Sequence, residues 1–209
     1  MKNNEIIQKI KRHKMTYGIM NFEFFSSGIN EILSNSGLEF VIYDQEHGNI
    51  SYEQLKTLSL YKSMLSITRV PALKYHLIAK SLDAGINGIM CPKIETREQA
   101  EKLVEYSKYR PEGKRGLAFG IAHDNYDRNV DSNIFTSINS KIKHLNNNII
   151  LIPLIETALG IQNCEEIISV EGIDMVWLGH YDLTDSMGIV GEFENKKYWD
   201  VVDTFINAC

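Results

Sequence analysis

Short apolar runs alternate along this chain with longer stretches that carry apolar residues at helical spacing, and this alternation constrains the fold most. Parallel strands joined by crossover helices give such a pattern, because strands of a parallel sheet are buried on both faces. The runs predict seven strands, at residues 16–20, 39–43, 65–70, 88–92, 116–120, 148–155 and 175–179. The sequence therefore predicts an α/β fold.

Five of the intervening stretches predict helices, at residues 26–37, 51–63, 73–85, 96–109 and 158–172. Ser51, Thr96 and Thr157 stand where N-caps are expected. Repeated units of this length are typical of a TIM (β/α)8-type barrel or of a doubly wound open sheet. No strand is followed by a glycine-rich dinucleotide or phosphate loop, which favours the barrel. We expect one domain over residues 1–209, since 44% hydrophobic content can fill a substantial core.

Composition excludes several classes of partner. The formal net charge of -5 provides no basic surface for nucleic acid or an anionic membrane. Three widely spaced cysteines have no metal-binding spacing and, as an odd number, do not indicate a disulfide framework. Neither a signal-peptide core nor a membrane span is apparent. We expect a soluble, cytoplasmic protein that binds neither nucleic acid nor a membrane.

The segment from Ile121 to Asn148 differs from the rest because it is rich in Asn, Asp and Ser. It predicts a long loop with one short helix. Loops of this kind at the mouth of a barrel often carry function, and a solvated excursion without chemical meaning is the alternative.

Ionisable residues follow the carboxyl ends of four predicted strands: Asp44, Glu46, His47, Arg69, Glu156 and Asp182. In a parallel barrel these ends share one face, where catalytic groups usually lie. Glu156 and Asp182 would together suit Mg²⁺, Mn²⁺ or Co²⁺, which accept oxygen ligands, with water and substrate completing the coordination. The alternative is that both carboxylates only stabilise helix starts.

His47 is close enough in sequence to Asp44 for the carboxylate to orient the ring as a general base. A surface histidine without a role is the alternative. Arg69 ends a core strand, where an anion or an enolate oxygen would justify its charge, and structural pairing with Glu46 is the alternative. Lys93 could form a Schiff base, but a solvated lysine is the favoured interpretation.

Six ordered motifs between about Tyr17 and Gly188 resemble the HpcH/HpaI aldolase family of metal-dependent class II pyruvate aldolases. They are D-x-E-H at 44–47, TRVP at 68–71, LDAGINGIMCPKIET at 82–96, YRPEGKRG at 109–116, LIET at 154–157 and GIDMVWLGHYDLTDSMG at 172–188. Their combination and order make the resemblance far more specific than any single motif.

The resemblance implies a TIM barrel that cleaves or forms 4-hydroxy-2-oxo acids, giving pyruvate and an aldehyde. Glu156 and Asp182 match the metal carboxylates, His47 with Asp44 the base, and Arg69 the contact to the keto oxygen. Glu46 and Asp83 are expected to support these groups. Gly179, Tyr181 and Leu154 are expected to line the substrate pocket, and a homo-oligomer is expected.

Departures from the family pattern leave two other functions open. Leu154 stands where family members often have glutamine, and His180 and Tyr181 are bulkier than the usual residues. After the seventh predicted strand only one helix remains, so we expect a barrel shortened at its C-terminus that lacks the eighth strand.

The motif PLIETALG also resembles citrate lyase β and malyl-CoA lyase, which act on CoA thioesters. A truncated, inactive barrel that binds a metal or a partner is the last alternative.

Overall fold

A parallel sheet of six strands forms the centre of the protein, for which the computed structural model describes residues 2–127 and 137–209. The strands are paired in chain order from β1 to β6. Their bounds are Gly18–Asn21, Phe40–Asp44, Leu65–Arg69, Gly88–Cys91, Ile150–Ile155 and Trp177–Leu178. The prediction of a parallel α/β fold is confirmed.

Ten α-helices accompany these strands within the described residues. Their bounds are Lys2–Lys11, Ile29–Asn35, Tyr52–Ser59, Tyr75–Asp83, Arg97–Ser107, Ile138–Asn147, Ala158–Gln162, Cys164–Ile168, His180–Ser186 and Lys196–Ala208, numbered α1 to α10. The three predicted N-caps are confirmed, since Ser51, Thr96 and Thr157 each accept a hydrogen bond from a backbone amide of the first turn. These caps fix where the chain turns from strand to helix.

The sheet curls into a half-barrel with one apolar face turned inward. Inward side chains such as Ile42, Ile67 and Ile152 form one cluster, while their neighbours along each strand pack outward against the helices. Met20 of β1 and Trp177 of β6 line one cavity, so the two outermost strands face each other across it. The curl brings the carboxyl ends of all the strands around a common space.

Helix α1, which the sequence patterns did not predict, covers the amino ends of the strands. Ile6, Ile7 and Ile10 are buried in the inward cluster. Lys9 and Lys11 form ion pairs with Glu39 and Asp174, which precede β2 and β6. The inward face is thereby closed at one end and open at the other.

The strand predicted at residues 116–120 is wrong. This stretch has no regular structure, Leu117 is 59% exposed, and β4 pairs directly with β5. A glycine stands at each end of the stretch, and without a buried position its apolar residues gain nothing from joining the sheet. The described sheet therefore has six strands, not seven.

The Asn-rich segment after this stretch contains more helix than predicted. A 3₁₀ turn spans Ala122–Asp124, and the ten-residue α6 follows. Part of the loop predicted within residues 121–148 falls on residues 128–136, which lie outside the described residues. None of the described helices has the length and apolar character needed to cross a membrane.

Candidate active site

A cavity of about 630 Å³ opens at the carboxyl ends of the strands. Seven of the predicted site residues line it: His47, Arg69, Leu154, Glu156, Gly179, Tyr181 and Asp182. They come from the ends of four strands, from the turns that follow these strands and from the first turn of α9. The half-barrel thus brings together residues that lie more than 130 positions apart in the sequence.

Asp44 and Arg69 form a buried pair on the wall of this space. The two residues are direct partners in the register of β2 and β3. Nε and Nη2 of Arg69 each donate to a carboxylate oxygen of Asp44 at 2.7 Å. Burial alone would raise the pKa of Asp44, but the bonds from Arg69 and from two backbone amides outweigh it and lower the pKa. The carboxylate therefore remains charged and fixes the guanidinium in one orientation.

The ring of His47 is not among the hydrogen-bond partners of Asp44 in this structure, and the expected pairing of the two side chains stays a prediction. Asp44 accepts from the backbone amides of Glu46 and His47 and from Arg69. The His47 side chain is 64% exposed, and its Nε2 lies 4.0 Å from Glu46 Oε2. Glu46 Oε2 also lies 3.3 Å from Arg69 Nη1. Glu46 is thus the carboxylate that links the histidine to the arginine.

Glu156 is the most perturbed carboxylate of the site. It is 3% exposed, and its Oε1 accepts a hydrogen bond of 2.9 Å from the backbone amide of Lys93. Burial raises its pKa to about 7; the Lys93 amide and Arg69 oppose the rise, and the charges of Asp182 and Glu46 add to it. A buried carboxylate with one protein donor and two negative neighbours favours a cation.

Gly179 allows Glu156 and Asp182 to approach the same point. A Cβ at position 179 would lie 2.6 Å from Glu156 Cβ and 2.7 Å from Oε2, closer than any side chain tolerates. The glycine follows β6 and is the N-cap of α9, whose first turn carries Asp182. The close packing of this turn against β5 places an exposed carboxylate beside the buried one.

Of the other predicted residues, Leu154 and Tyr181 lie at the cavity, and Asp83 lies at the end of α4. Leu154 is buried in the cavity wall, and Tyr181 is 70% exposed at its rim. Asp83 ends α4, and its Oδ1 accepts from Arg115. A helix after a parallel strand runs back along it, so its last residue lies near the amino ends of the sheet. The structure therefore does not bring Asp83 to this cluster.

Sequence patterns missed two groups of residues at the site. One is the backbone amide of Lys93, which donates to Glu156, whereas the sequence favoured a solvated lysine without a role in the site. The other is a set of aromatic side chains that line the cavity, namely Phe22, Trp177, Phe193 and Tyr198. Tyr198 belongs to α10, and its hydroxyl is hydrogen-bonded to Nδ1 of His180. The only signal in the sequence was aromatic residues just after β1 and in the last helix.

The oxygen donors of this site fit a hard divalent cation. Glu156 and Asp182 supply carboxylates, and Arg69 and His47 border the same cavity. No group of three or more His, Cys, Asp or Glu side chains suited to a metal occurs in the described residues. A cation here would have two protein ligands and open positions for water and substrate oxygens, as Mg²⁺ accepts.

A known protein family matches most of this chain. The family model described as HpcH/HpaI aldolase/citrate lyase matches residues 24–209. The chain belongs to the HpcH/HpaI family. The matched range includes the curled sheet from β2 onward and every predicted site residue, so the resemblance of the six motifs is confirmed.

Curated members of the HpcH/HpaI family show similar sequences. A hydroxypyruvate/pyruvate aldolase from Deinococcus radiodurans is 31% identical over 162 residues, covering 76% of this chain and 55% of that protein. A 5-keto-4-deoxy-D-glucarate aldolase from Salmonella arizonae is 31% identical over 177 residues, covering 83% and 64%. The chain thus spans less than two thirds of the length of these relatives.

Solved structures of the HpcH/HpaI group share the fold. An HpcH/HpaI aldolase from Desulfitobacterium hafniense superposes with a TM-score of 0.86 at 25% identity, over 96% of this chain and 76% of that one. A citrate lyase β subunit from M. tuberculosis, complexed with oxaloacetate and magnesium, has a TM-score of 0.56 at 16% identity. It covers 96% of this chain and 75% of that one, and at this identity it supports the fold alone.

Proposed function

We propose that this protein is a divalent-metal-dependent, class II aldolase that cleaves or forms 4-hydroxy-2-oxo acids, with pyruvate and an aldehyde as the other partners. The observation that carries the proposal is the convergence of buried Glu156 with Asp182 on a cavity that Arg69 also lines. A 2-oxo acid requires both kinds of group, a cation-binding pair and a donor for its oxygens. Family membership supports the same reaction class.

In this proposal Glu156 and Asp182 hold a Mg²⁺, Mn²⁺ or Co²⁺ ion. The raised pKa of Glu156 fits that role, because a nearby cation would relieve the repulsion between the two carboxylates. When bound, the ion supplies Lewis acidity to the carboxylate and keto oxygens of the substrate.

Arg69 binds and orients the 2-oxo acid. Two of its five N–H groups are bonded to Asp44, and Nη1 lies 3.3 Å from Glu46 Oε2, so N–H groups remain for the keto oxygen. As carbon–carbon cleavage turns that oxygen into an enolate oxygen, a fixed guanidinium stabilises the developing charge without reorganising. Leu154 and Gly179 supply an uncharged wall on which the methyl carbon of pyruvate can lie.

His47 moves the proton in this proposal. During cleavage its imidazole takes the proton of the C4 hydroxyl, and during synthesis it returns a proton to the new alkoxide. Its exposure lets the ring exchange protons with solvent between turnovers. Glu46, not Asp44, is the carboxylate beside the ring and is the residue we assign to support the imidazolium.

The wider setting is also part of the proposal. We infer that the half-barrel represents most of a TIM-type (β/α)8 barrel, a single domain in a cytoplasmic enzyme. We further infer a homo-oligomer, because Tyr17, Ile19 and Phe24, in or beside β1, expose large apolar surfaces. Size-exclusion chromatography with light scattering tests the oligomer directly, and a monomer at micromolar concentration would reject it.

The reaction is tested with purified protein, Mn²⁺ or Mg²⁺, pyruvate and a panel of small aldehydes that includes glycolaldehyde and propanal. We expect consumption of pyruvate that depends on the metal and stops with a chelator. A folded sample without metal-dependent turnover would reject the aldolase function. Turnover with CoA thioesters alone would indicate the citrate lyase-like alternative instead.

The roles of the residues are tested by two substitutions. We expect His47→Ala to lower turnover by about 100-fold or more while leaving the affinity for Mn²⁺ nearly unchanged. Glu156→Ala should lose both turnover and affinity for Mn²⁺. His76→Ala, at an exposed position of α4, is the matched control and should retain turnover and affinity for Mn²⁺. Equal loss of Mn²⁺ affinity in the His47 and Glu156 variants would contradict the assignment.

A further inference from the structure

The cavity has two chemically different halves, and only one of them has a role in the proposed reaction. His47, Arg69, Glu156 and Asp182 form a polar half. The other half is aromatic, with Phe22, Trp177, Tyr181, Phe193 and Tyr198 among its lining residues. Because the proposed aldolase places the 2-oxo acid at the polar half, the aromatic half is left for the aldehyde.

The aromatic half contains no cation for an anionic aldehyde. Among the described residues that line the cavity, Arg69 is the sole lysine or arginine, and Asp44 and Glu46 already hold it. A carboxylate or phosphate on the aldehyde would lose its hydration there without gaining an ion pair, which is costly.

A hydrogen-bonded pair of polar side chains, Tyr198 and His180, lies within the aromatic half of the cavity. The hydroxyl of buried Tyr198 is hydrogen-bonded to Nδ1 of His180, and the two rings lie 6.0 Å apart between centroids. Phe193 packs edge-on against Tyr198 and against Tyr181. These contacts hold the imidazole in place and leave Nε2 without a hydrogen-bond partner among the described residues. His180 is exposed and lines the cavity, so this nitrogen can form a hydrogen bond with a ligand there.

We propose that the aldehyde partner is uncharged, with an apolar and preferably aromatic body, and that His180 selects it by a hydrogen bond from or to a hydroxyl group of the aldehyde. Tyr198 is the positioning residue that orients the histidine. The inference rests on the proposed aldolase function. In the synthetic direction C3 of pyruvate loses a proton and bonds to the aldehyde carbon, while the aldehyde oxygen gains a proton and becomes the C4 hydroxyl, so no further reactant is needed.

Three probes of similar size test the charge and the hydroxyl separately. They are phenylacetaldehyde, its 4-hydroxy derivative and its 4-carboxylate derivative, each with Mn²⁺ and pyruvate. We expect kcat/KM to be highest for the 4-hydroxy compound and at least about tenfold lower for the carboxylate, as befits one lost hydrogen bond and an unpaired charge. Preference for the carboxylate, or equal rates for all three, would overturn the inference.

Substitutions at His180 and Tyr198 test the selecting group. His180→Ala should raise KM for the 4-hydroxy compound about tenfold relative to phenylacetaldehyde, and His180→Gln should recover part of the difference. Tyr198→Phe should act in the same direction but more weakly. His180→Lys should shift the preference toward the carboxylate probe, because it adds the missing cation. An unchanged ratio of the probes in His180→Ala would overturn the assigned role.

The controls separate this inference from the reaction itself. His76→Ala on α4 should leave the ratios of the probes unchanged. Turnover with glycolaldehyde and none with the three larger probes would leave the aldolase function intact and reject the inference. No turnover with any aldehyde would reject the aldolase function and the inference with it.

Discussion

Two buried carboxylates of this protein occupy opposite electrostatic situations. Asp124 and Lys141 form an ion pair of 2.8 Å with both side chains almost completely buried. Asp124 also accepts from the backbone amides of Gly120 and Ile121. Burial alone would raise its pKa, yet these donors lower it. Glu156 is as deeply buried but has one amide donor and negative neighbours, and its pKa rises to about 7.

The Asp124 pair stabilises the fold, whereas the Glu156 site is suited to binding a ligand. The Asp124 pair is complete within the protein and lies beside the amino ends of β4 and β5, where Asn87 and Ile149 line the same pocket. The Glu156 site is incomplete and faces a cavity at the carboxyl ends. A carboxylate that the fold leaves unsatisfied at the open end of a half-barrel is poised for a ligand that arrives later.

The largest effect is expected from Lys141→Met, which removes the cation of the complete pair. Asp124 would then be buried without its partner, and the free energy of unfolding should fall by roughly 3–5 kcal/mol. Urea denaturation at pH 7 measures the loss. Lys143→Met, at an exposed position of the same helix, is the matched control and should change little. A loss below about 1 kcal/mol for Lys141→Met would show that the pair is not structural.

Glu156→Gln should remove a pH dependence from the incomplete site. A carboxyl whose pKa is raised in the folded state destabilises the fold as pH rises from 4.5 through about 7, because the folded state must ionise it at a cost. The raised pKa of Glu156 lowers the free energy of unfolding by at most about 3 kcal/mol, since each tenfold change in proton affinity corresponds to about 1.4 kcal/mol.

The measurement is the urea midpoint of the metal-free protein at pH 5 and pH 8. The wild type should lose stability relative to Glu156→Gln between these values, and Mn²⁺ should restore the wild type alone at pH 8. Glu166→Gln, on the exposed side of α8, is the control. Parallel pH profiles for wild type and Glu156→Gln would contradict the raised pKa.

Gly179→Ala tests the close approach that creates the incomplete site. The new methyl group would collide with Glu156, and overpacking of this kind costs about 1–3 kcal/mol. The affinity for Mn²⁺ should fall as well, because Glu156 must move. Gly28→Ala meets no atom within 4 Å and serves as the control for thermal denaturation and metal titration. Unchanged metal affinity in Gly179→Ala would separate Gly179 from the site.

Asp182→Asn should give the smallest effect on the stability of the metal-free protein. Asp182 adds to the raised pKa of Glu156, but burial is the larger cause and Asp182 is exposed to screening by solvent. We expect the pKa of Glu156 to fall, with less than about 1 kcal/mol gained at pH 8. Titration of Glu156 by NMR measures the change, with Asp185→Asn on the same helix as the control. An increase in the pKa of Glu156 would contradict the repulsion.

Strong local signals predicted much of this fold. The apolar runs before Asp44, Arg69 and Glu156 became β2, β3 and β5, because six or fewer buried residues per strand leave little choice of register. Residues 116–120 contain similar apolar residues but form no strand. Whether these residues join the sheet depends on whether β4 pairs directly with β5, and no local sequence pattern indicates that pairing.

Seven of the residues predicted for the site line one cavity, but the hydrogen bonds of Asp44 differ from those expected. Asp44 and His47 are three residues apart, which suggested a dyad, yet the register of β2 and β3 sets Asp44 directly beside Arg69. A guanidinium forms two bonds with a carboxylate where an imidazole forms one, so the arginine takes both oxygens. The histidine is left with Glu46.

The sequence by itself determined the parallel α/β class, three helix caps and the charged residues at the strand ends, because each is a local consequence of periodicity or side-chain chemistry. Only the tertiary structure decided which of those charges are satisfied. Burial and neighbouring charge depend on distances across the sheet, and these made Asp44 a fixed anion and Glu156 an unsatisfied one. The same distances gathered an aromatic surface around His180, at positions whose sequence spacing gives no sign of a shared cavity.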